Sequence, residues 1–238
     1  MTKLSVNINK IATLRNARGG NNPDLLKVAS DIQSFGANGI TIHPRPDERH
    51  IKYVDAINLR GVVHTELNIE GNPVDKFIEL VLKVKPEQVT LVPDTVDVLT
   101  SNAGWNTKKE YKYLRDVIEV FNKEKIRTSI FVDPKTESIK YAEKTNCDRI
   151  ELYTEPYANM YFKNSQAAIK PFVEASFFAK ELGLGVNAGH DLSLMNLNFF
   201  TQKIPDLMEV SIGHALISES LYMGLENVIN LYINKLNK

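Results

Sequence analysis

The chain has 238 residues, 43% hydrophobic and 24% charged, the composition of a globular protein with one large core or two small ones. Its 29 Lys and Arg balance 29 Asp and Glu, so no net field favours nucleic acid or an anionic membrane as a partner. The lone Cys147 excludes a disulfide framework and multi-cysteine metal sites; without a signal-like N-terminal segment or a membrane-length apolar run, a cytoplasmic protein is expected.

Short apolar or β-branched runs alternate with stretches of helical period along the whole chain. A first strand is expected over residues 4–8, followed by polar Asn9 and Lys10 and a loop over 15–22. A helix over 24–35 leads to a strand at 39–42, and a third strand is expected over 63–68. A helix over 74–84 precedes a strand at 88–92, and a helix over 109–124 precedes one at 128–132. Helix 136–145 and strand 149–153 follow, then helix 171–182 and strands 185–188 and 208–212. The last segment places Leu225, Val228, Ile229, Tyr232 and Leu236 on one face of a docked helix.

Eight strands alternating with helices in about 240 residues predict parallel pairing and an α/β fold, a (β/α)8 TIM barrel with additional helices. No Pro/Gly/Ser-rich linker divides the chain, so a single catalytic domain over 1–238 is expected. An open doubly wound sheet is the competing architecture. Its dinucleotide-binding form would carry Gly-x-Gly-x-x-Gly after the first strand, where this chain has Arg18-Gly19-Gly20 well downstream.

In a barrel the active site forms at the carboxyl ends of the strands. The densest such end runs from His43 to His50, with two histidines, two arginines and two acids in eight residues. Histidine exchanges protons near neutrality, and arginine offers a planar donor fork that fits phosphate. Other strand ends supply Asn7, Glu70, Asp94, Glu151, His190 with Asp191, and Gly213 with His214. Glycine before a helix-compatible run, as at Gly213, suits an anion on the backbone N–H groups of a helix start. Each residue alone has a plain structural reading: Glu70 as a solvated acid, Gly189 as a turn glycine with positive φ, Arg15 and Arg18 as surface ion pairs. Convergence on one pocket would lift them above it. No His-x-His or His-Glu-x-x-His spacing points to a metal, and only Lys10 lies where a Schiff-base lysine would be expected.

Six ordered stretches resemble the pyridoxine 5′-phosphate synthase family: 6–19, 39–51, 68–70, 91–93, 186–190 and 212–215. The resemblance implies a TIM barrel, assembly as a homo-oligomer, typically an octamer, and a reaction needing neither metal nor organic cofactor. That reaction condenses 3-amino-2-oxopropyl phosphate with 1-deoxy-D-xylulose 5-phosphate to pyridoxine 5′-phosphate, phosphate and water. By the family's pattern His43 is a general base, Glu70 a second acid–base group and His190 a proton donor. Arg45, His50 and Thr100 fall where the family binds the deoxyxylulose phosphate; Asn7, Arg18, Asp191, Gly213 and His214 fall where it binds the amino-ketone phosphate. Asp191 replaces a glycine found in many relatives, so a backbone contact is expected there and the side chain's role stays open. Asn9-Lys10 replaces the Asp-His of many members and is carried over for binding only, since lysine does not replace histidine as a base near neutrality. Glu151 joins Asn9 and Lys10 as a further pocket candidate. A metal- or lysine-dependent phosphosugar aldolase and an inactive phosphate-binding barrel are the alternatives.

Overall fold

The computed structural model describes residues 1–94 and 103–237. Eight parallel strands close into a barrel in chain order: β1 (Lys3–Asn7), β2 (Gly39–Ile42), β3 (Glu66–Gly71), β4 (Gln88–Leu91), β5 (Arg127–Val132), β6 (Arg149–Tyr153), β7 (Gly185–His190) and β8 (Leu207–Ile212). Pairing of Leu4 with Val210 joins β1 to β8 and closes the ring. Around it lie α1 (Asn9–Asn16), α2 (Leu25–Ser34), α3 (Tyr53–Arg60), α4 (Asp75–Val84), α5 (Thr107–Lys123), α6 (Thr136–Glu143), α7 (Glu155–Tyr161), α8 (Ser165–Glu181), α9 (Leu197–Lys203), α10 (His214–Met223) and α11 (Leu225–Leu236). This is the expected TIM barrel with additional helices.

Period-two alternation sorts each strand's side chains between two environments. Leu4, Val6, Ile40, Ile42, Leu67 and Ile69 are fully buried in the apolar core shared with the helices. Their alternates point inward, and the barrel interior is polar, unlike the branched apolar layers usual in this fold. Ser5 Oγ lies 2.7 Å from Thr41 Oγ1, and Gln88 Nε2 donates across the barrel to Glu209 Oε1 at 3.4 Å. At the amino-terminal mouth Lys3 and Arg127 both pair with Glu66.

Several boundaries differ from the sequence expectation. The third strand begins at Glu66 rather than at residue 63, because Gln33 Oε1 accepts the backbone N–H groups of His64 and Thr65 at 2.7 and 3.1 Å. Glu70 is consequently a buried strand residue, not a solvated one beyond the strand. Residues 9–16 form α1, so Arg15 and Asn16, expected in the loop, are helical; Asn7 Oδ1 accepts the Asn9 N–H at 3.0 Å, satisfying one orphan donor of the first turn. The run Asp47-Glu48-Arg49, whose composition suggests the polar start of the next helix, is instead a loop, with α3 starting only at Tyr53. Helix α8 carries Pro171 in its interior and begins at Ser165, where Asn164 Oδ1 caps the Ala167 N–H at 3.0 Å. The residue with positive φ after β7's glycine is His190, at 105°, not Gly189.

Candidate active site

A cavity of about 400 Å³ opens at the carboxyl ends of the strands. β1 and α1 supply Asn7, Asn9 and Lys10; the segment after β2 supplies His43, Arg45 and His50. Glu70 enters from β3 and Glu151 from β6. His190 ends β7 with Asp191 behind it, and Gly213 with His214 opens α10. Twelve sequence-predicted residues therefore meet in one space. Arg18 is exposed on the turn after α1 and does not line the cavity. Thr100 and the neighbouring Ser101 lie outside the described residues.

Backbone and side-chain contacts fix the first histidine segment. The His43 N–H donates to Asn9 Oδ1 at 2.9 Å, tying the end of β2 to the start of α1. Arg45 pairs with Asp94, and both side chains are almost fully buried. The His50 carbonyl accepts from Asn16 Nδ2 at 2.8 Å, while its Nδ1 accepts the Ile51 N–H at 2.9 Å. Neutral His50 therefore carries its proton on Nε2.

Burial separates the protonation states of these groups. His43 lies well below its usual range because burial, then Arg45, His50 and Arg49, oppose a further positive charge. His50 is lowered to about 4 by burial, with Arg45, Lys10 and Arg49 adding to it and Asp47 opposing. Glu70 goes the other way, to about 8: burial favours the neutral acid, Asp94 and Glu209 add to it, and His190 and the Ser211 hydroxyl oppose. Ser211 Oγ donates to Glu70 Oε1 at 3.4 Å and Asn7 Nδ2 to Oε2 at 3.5 Å. Glu151 is held well above the carboxylate range by burial and by Glu70 and Glu209. Burial opposes a charged His190, yet Asp191, Glu70 and Glu155 outweigh it and raise its pKa. Neutral imidazoles, a protonated-leaning acid and a cation-leaning histidine thus face one space, as multi-step proton transfer requires.

Residues 4–238 match the family model described as pyridoxal phosphate biosynthesis protein PdxJ. The chain belongs to the PdxJ family. It is 66% identical to a pyridoxine 5′-phosphate synthase of Flavobacterium johnsoniae over 99% of this chain and all of that protein. It is 62% identical to the same-named protein of Cytophaga hutchinsonii over the full length of both. Among solved structures, orotidine 5′-monophosphate decarboxylase from Methanocaldococcus jannaschii superposes with a TM-score of 0.67 at 12% identity, covering 100% of each chain. Phosphoribosylanthranilate isomerase from Thermotoga maritima gives 0.62 at 13% identity, covering 100% of this chain and 99% of the other. At that identity the likeness is one of fold.

Three cavity residues of this PdxJ chain were not singled out by sequence: Val92, Phe131 and Ser211. Strand parity was the available signal, since Ser211 lies two residues before Gly213 on the same face of the strand path. Among the described residues no group of three or more His, Cys, Asp or Glu side chains could hold a metal ion, and no helix is long and apolar enough to cross a membrane.

Proposed function

We propose that this chain makes pyridoxine 5′-phosphate in vitamin B6 biosynthesis by condensing 3-amino-2-oxopropyl phosphate with 1-deoxy-D-xylulose 5-phosphate. The observation that carries the reading is identity of 60–66% to pyridoxine 5′-phosphate synthases over essentially the full chain. The amine must add to the ketone, water and phosphate must leave, and the ring must close and aromatise. Each step moves a proton to or from carbon, nitrogen or oxygen.

His43, kept neutral by its surroundings, suits the base that takes a proton from the adding amine. Glu70, with a pKa of about 8, can give and accept protons near neutrality. His190 is the cation-leaning group and suits the donor to a departing hydroxyl. Arg45 and His50, with Thr100, are assigned to the deoxyxylulose phosphate. Asn7, the Asp191 backbone and the Gly213-His214 helix start, with Arg18, are assigned to the amino-ketone phosphate. Asn9 and Lys10 add polar contacts at the mouth. Glu151, buried and favouring its neutral acid, has no assigned step. The reaction is read as cofactor-free, run by one domain over 1–238 in the cytoplasm. Assembly is read as a homo-octamer; exposed Leu14 on α1 and Leu221 and Tyr222 on α10, helices in contact, offer apolar surface for it.

Purified protein mixed with both substrates should release phosphate and form pyridoxine 5′-phosphate, read by mass and absorbance, with EDTA present. Absence of product from verified substrates would overturn the reading.

A further inference from the structure

The proposed chemistry gives the Asp191 side chain no task of its own, yet its Oδ2 contacts His190 Nδ1. Both partners are held by separate anchors. His190 closes β7 with φ of 105°, a conformation that a residue with a side chain keeps only when its surroundings enforce it. Tyr153 meets the His190 ring edge-on at 5.4 Å, and the Tyr153 hydroxyl donates to Glu155. On the other side, buried Asn196 donates Nδ2 to the Asp191 carbonyl at 3.3 Å and accepts the Ser193 N–H at 2.9 Å. The Asn196 carbonyl in turn accepts the Tyr157 hydroxyl at 2.7 Å. The His190 ring and the Asp191 backbone are thus each held by contacts outside the pair, and the carboxylate reaches Nδ1 from that held backbone.

The geometry points to Asp191 as a positioning residue for His190, its carboxylate accepting from Nδ1–H and so fixing the ring's orientation and leaving Nε2 to carry the proton delivered to substrate. The inference rests on the proposed role of His190. In the dehydration step the Nε2–H bond breaks as an O–H bond forms on the departing hydroxyl. The C–O bonding pair leaves with that oxygen as water, and the ring ends neutral with its Nδ1–H still on Asp191. Among the described residues, ionisable groups that face His190 besides Asp191 include Glu70 from β3, Glu155 from α7 and the Tyr153 phenol from β6.

Asp191→Asn keeps the shape and removes the charge at a side chain that is 39% exposed, so the core is untouched. An acid catalyst is lost as pH rises through its pKa, so the alkaline limb of kcat/KM should move to lower pH in the variant. On that limb activity should fall about tenfold below the parent. The His190 imidazole signal in NMR, assigned with His190→Gln, should titrate at lower pH, and Asp191→Glu should return it part-way. An unmoved limb and unmoved titration, with only the KM for the amino-ketone phosphate altered, would overturn the inference. Turnover by the unaltered protein is measured first: its absence sinks the proposed function, while the titration tests the His190–Asp191 pair by itself.

Discussion

Arg15 Nη1 and Nη2 each meet one oxygen of Asp55 at 2.7 Å, a bidentate pair that locks α1 to the first turn of α3. Asp55 Oδ2 also accepts the Lys52 N–H at 2.8 Å, and Asn16, beside Arg15, holds the His50 carbonyl. With the His43 N–H on Asn9 Oδ1 at the other end, the loop carrying Arg45 and His50 is tied to α1 on both sides. Arg15→Ala strands a buried carboxylate and should cost about 3–5 kcal/mol in denaturant unfolding. Asn16→Ala removes the contacts of Asn16 with the His50 and Arg49 carbonyls and with the Arg15 guanidinium, but leaves the Arg15–Asp55 pair in place. It should cost about 1 kcal/mol and raise the KM for the sugar phosphate more than it lowers kcat. Equal losses of stability in the two variants would contradict this division.

Glu70 sets activity against stability. Its carboxyl is pushed from 4.5 to about 8, so between those values the unfolded chain sheds its proton before the native state does. Native stability therefore falls as pH rises through that window, by on the order of a few kcal/mol. Glu70→Gln should remove this slope and raise the thermal midpoint at pH 8, while lowering kcat by ~10²–10⁴. Melting curves at pH 5 and pH 8, with single-turnover kinetics, check both halves.

His50 has the opposite linkage. Its native pKa of about 4 lies below the ordinary 6.5, so on acidification the unfolded state takes the proton first. The associated stability is complete above 6.5 and is lost as pH falls toward 4, about 3 kcal/mol in all. His50→Gln should flatten that part of the stability–pH curve, as read by urea unfolding at closely spaced pH values.

The barrel was legible because eight apolar runs at regular spacing leave few other ways to pair. The strand-end rule then brought His43, Arg45, Glu70 and His190 to one pocket, as found. Contacts made at a distance in sequence were not legible. Nothing in the local pattern around Arg15 signals a partner 40 residues away, so it read as a surface arginine rather than a buried tie. The start of β3 was displaced for the same reason: Gln33, from α2, takes the donors that the local β-propensity had assigned to a strand. The polar interior escaped notice because alternation reveals which residues share a face, not which face meets the helices.

Gly189 gives a test of close approach inside that interior. A Cβ there would lie 2.3 Å from Glu151 Oε1 and 3.2 Å from the Ser211 carbonyl oxygen. Pairing with Tyr153 on one side and Ser211 on the other fixes the backbone, so the carboxyl must move. Displacing Glu151 disturbs Glu70, whose charge contributes to holding Glu151 in its acid form. Gly189→Ala should therefore cost about 1–3 kcal/mol and lower kcat roughly 10²-fold. Gly183 supplies the control: it has φ of 76° and open space around a Cβ, remote from the cavity. Gly183→Ala should cost about 1 kcal/mol through backbone strain alone and leave kcat unchanged. If both variants lose stability alike while Gly189→Ala keeps full kcat, the Glu151 carboxyl has no part in shaping the site.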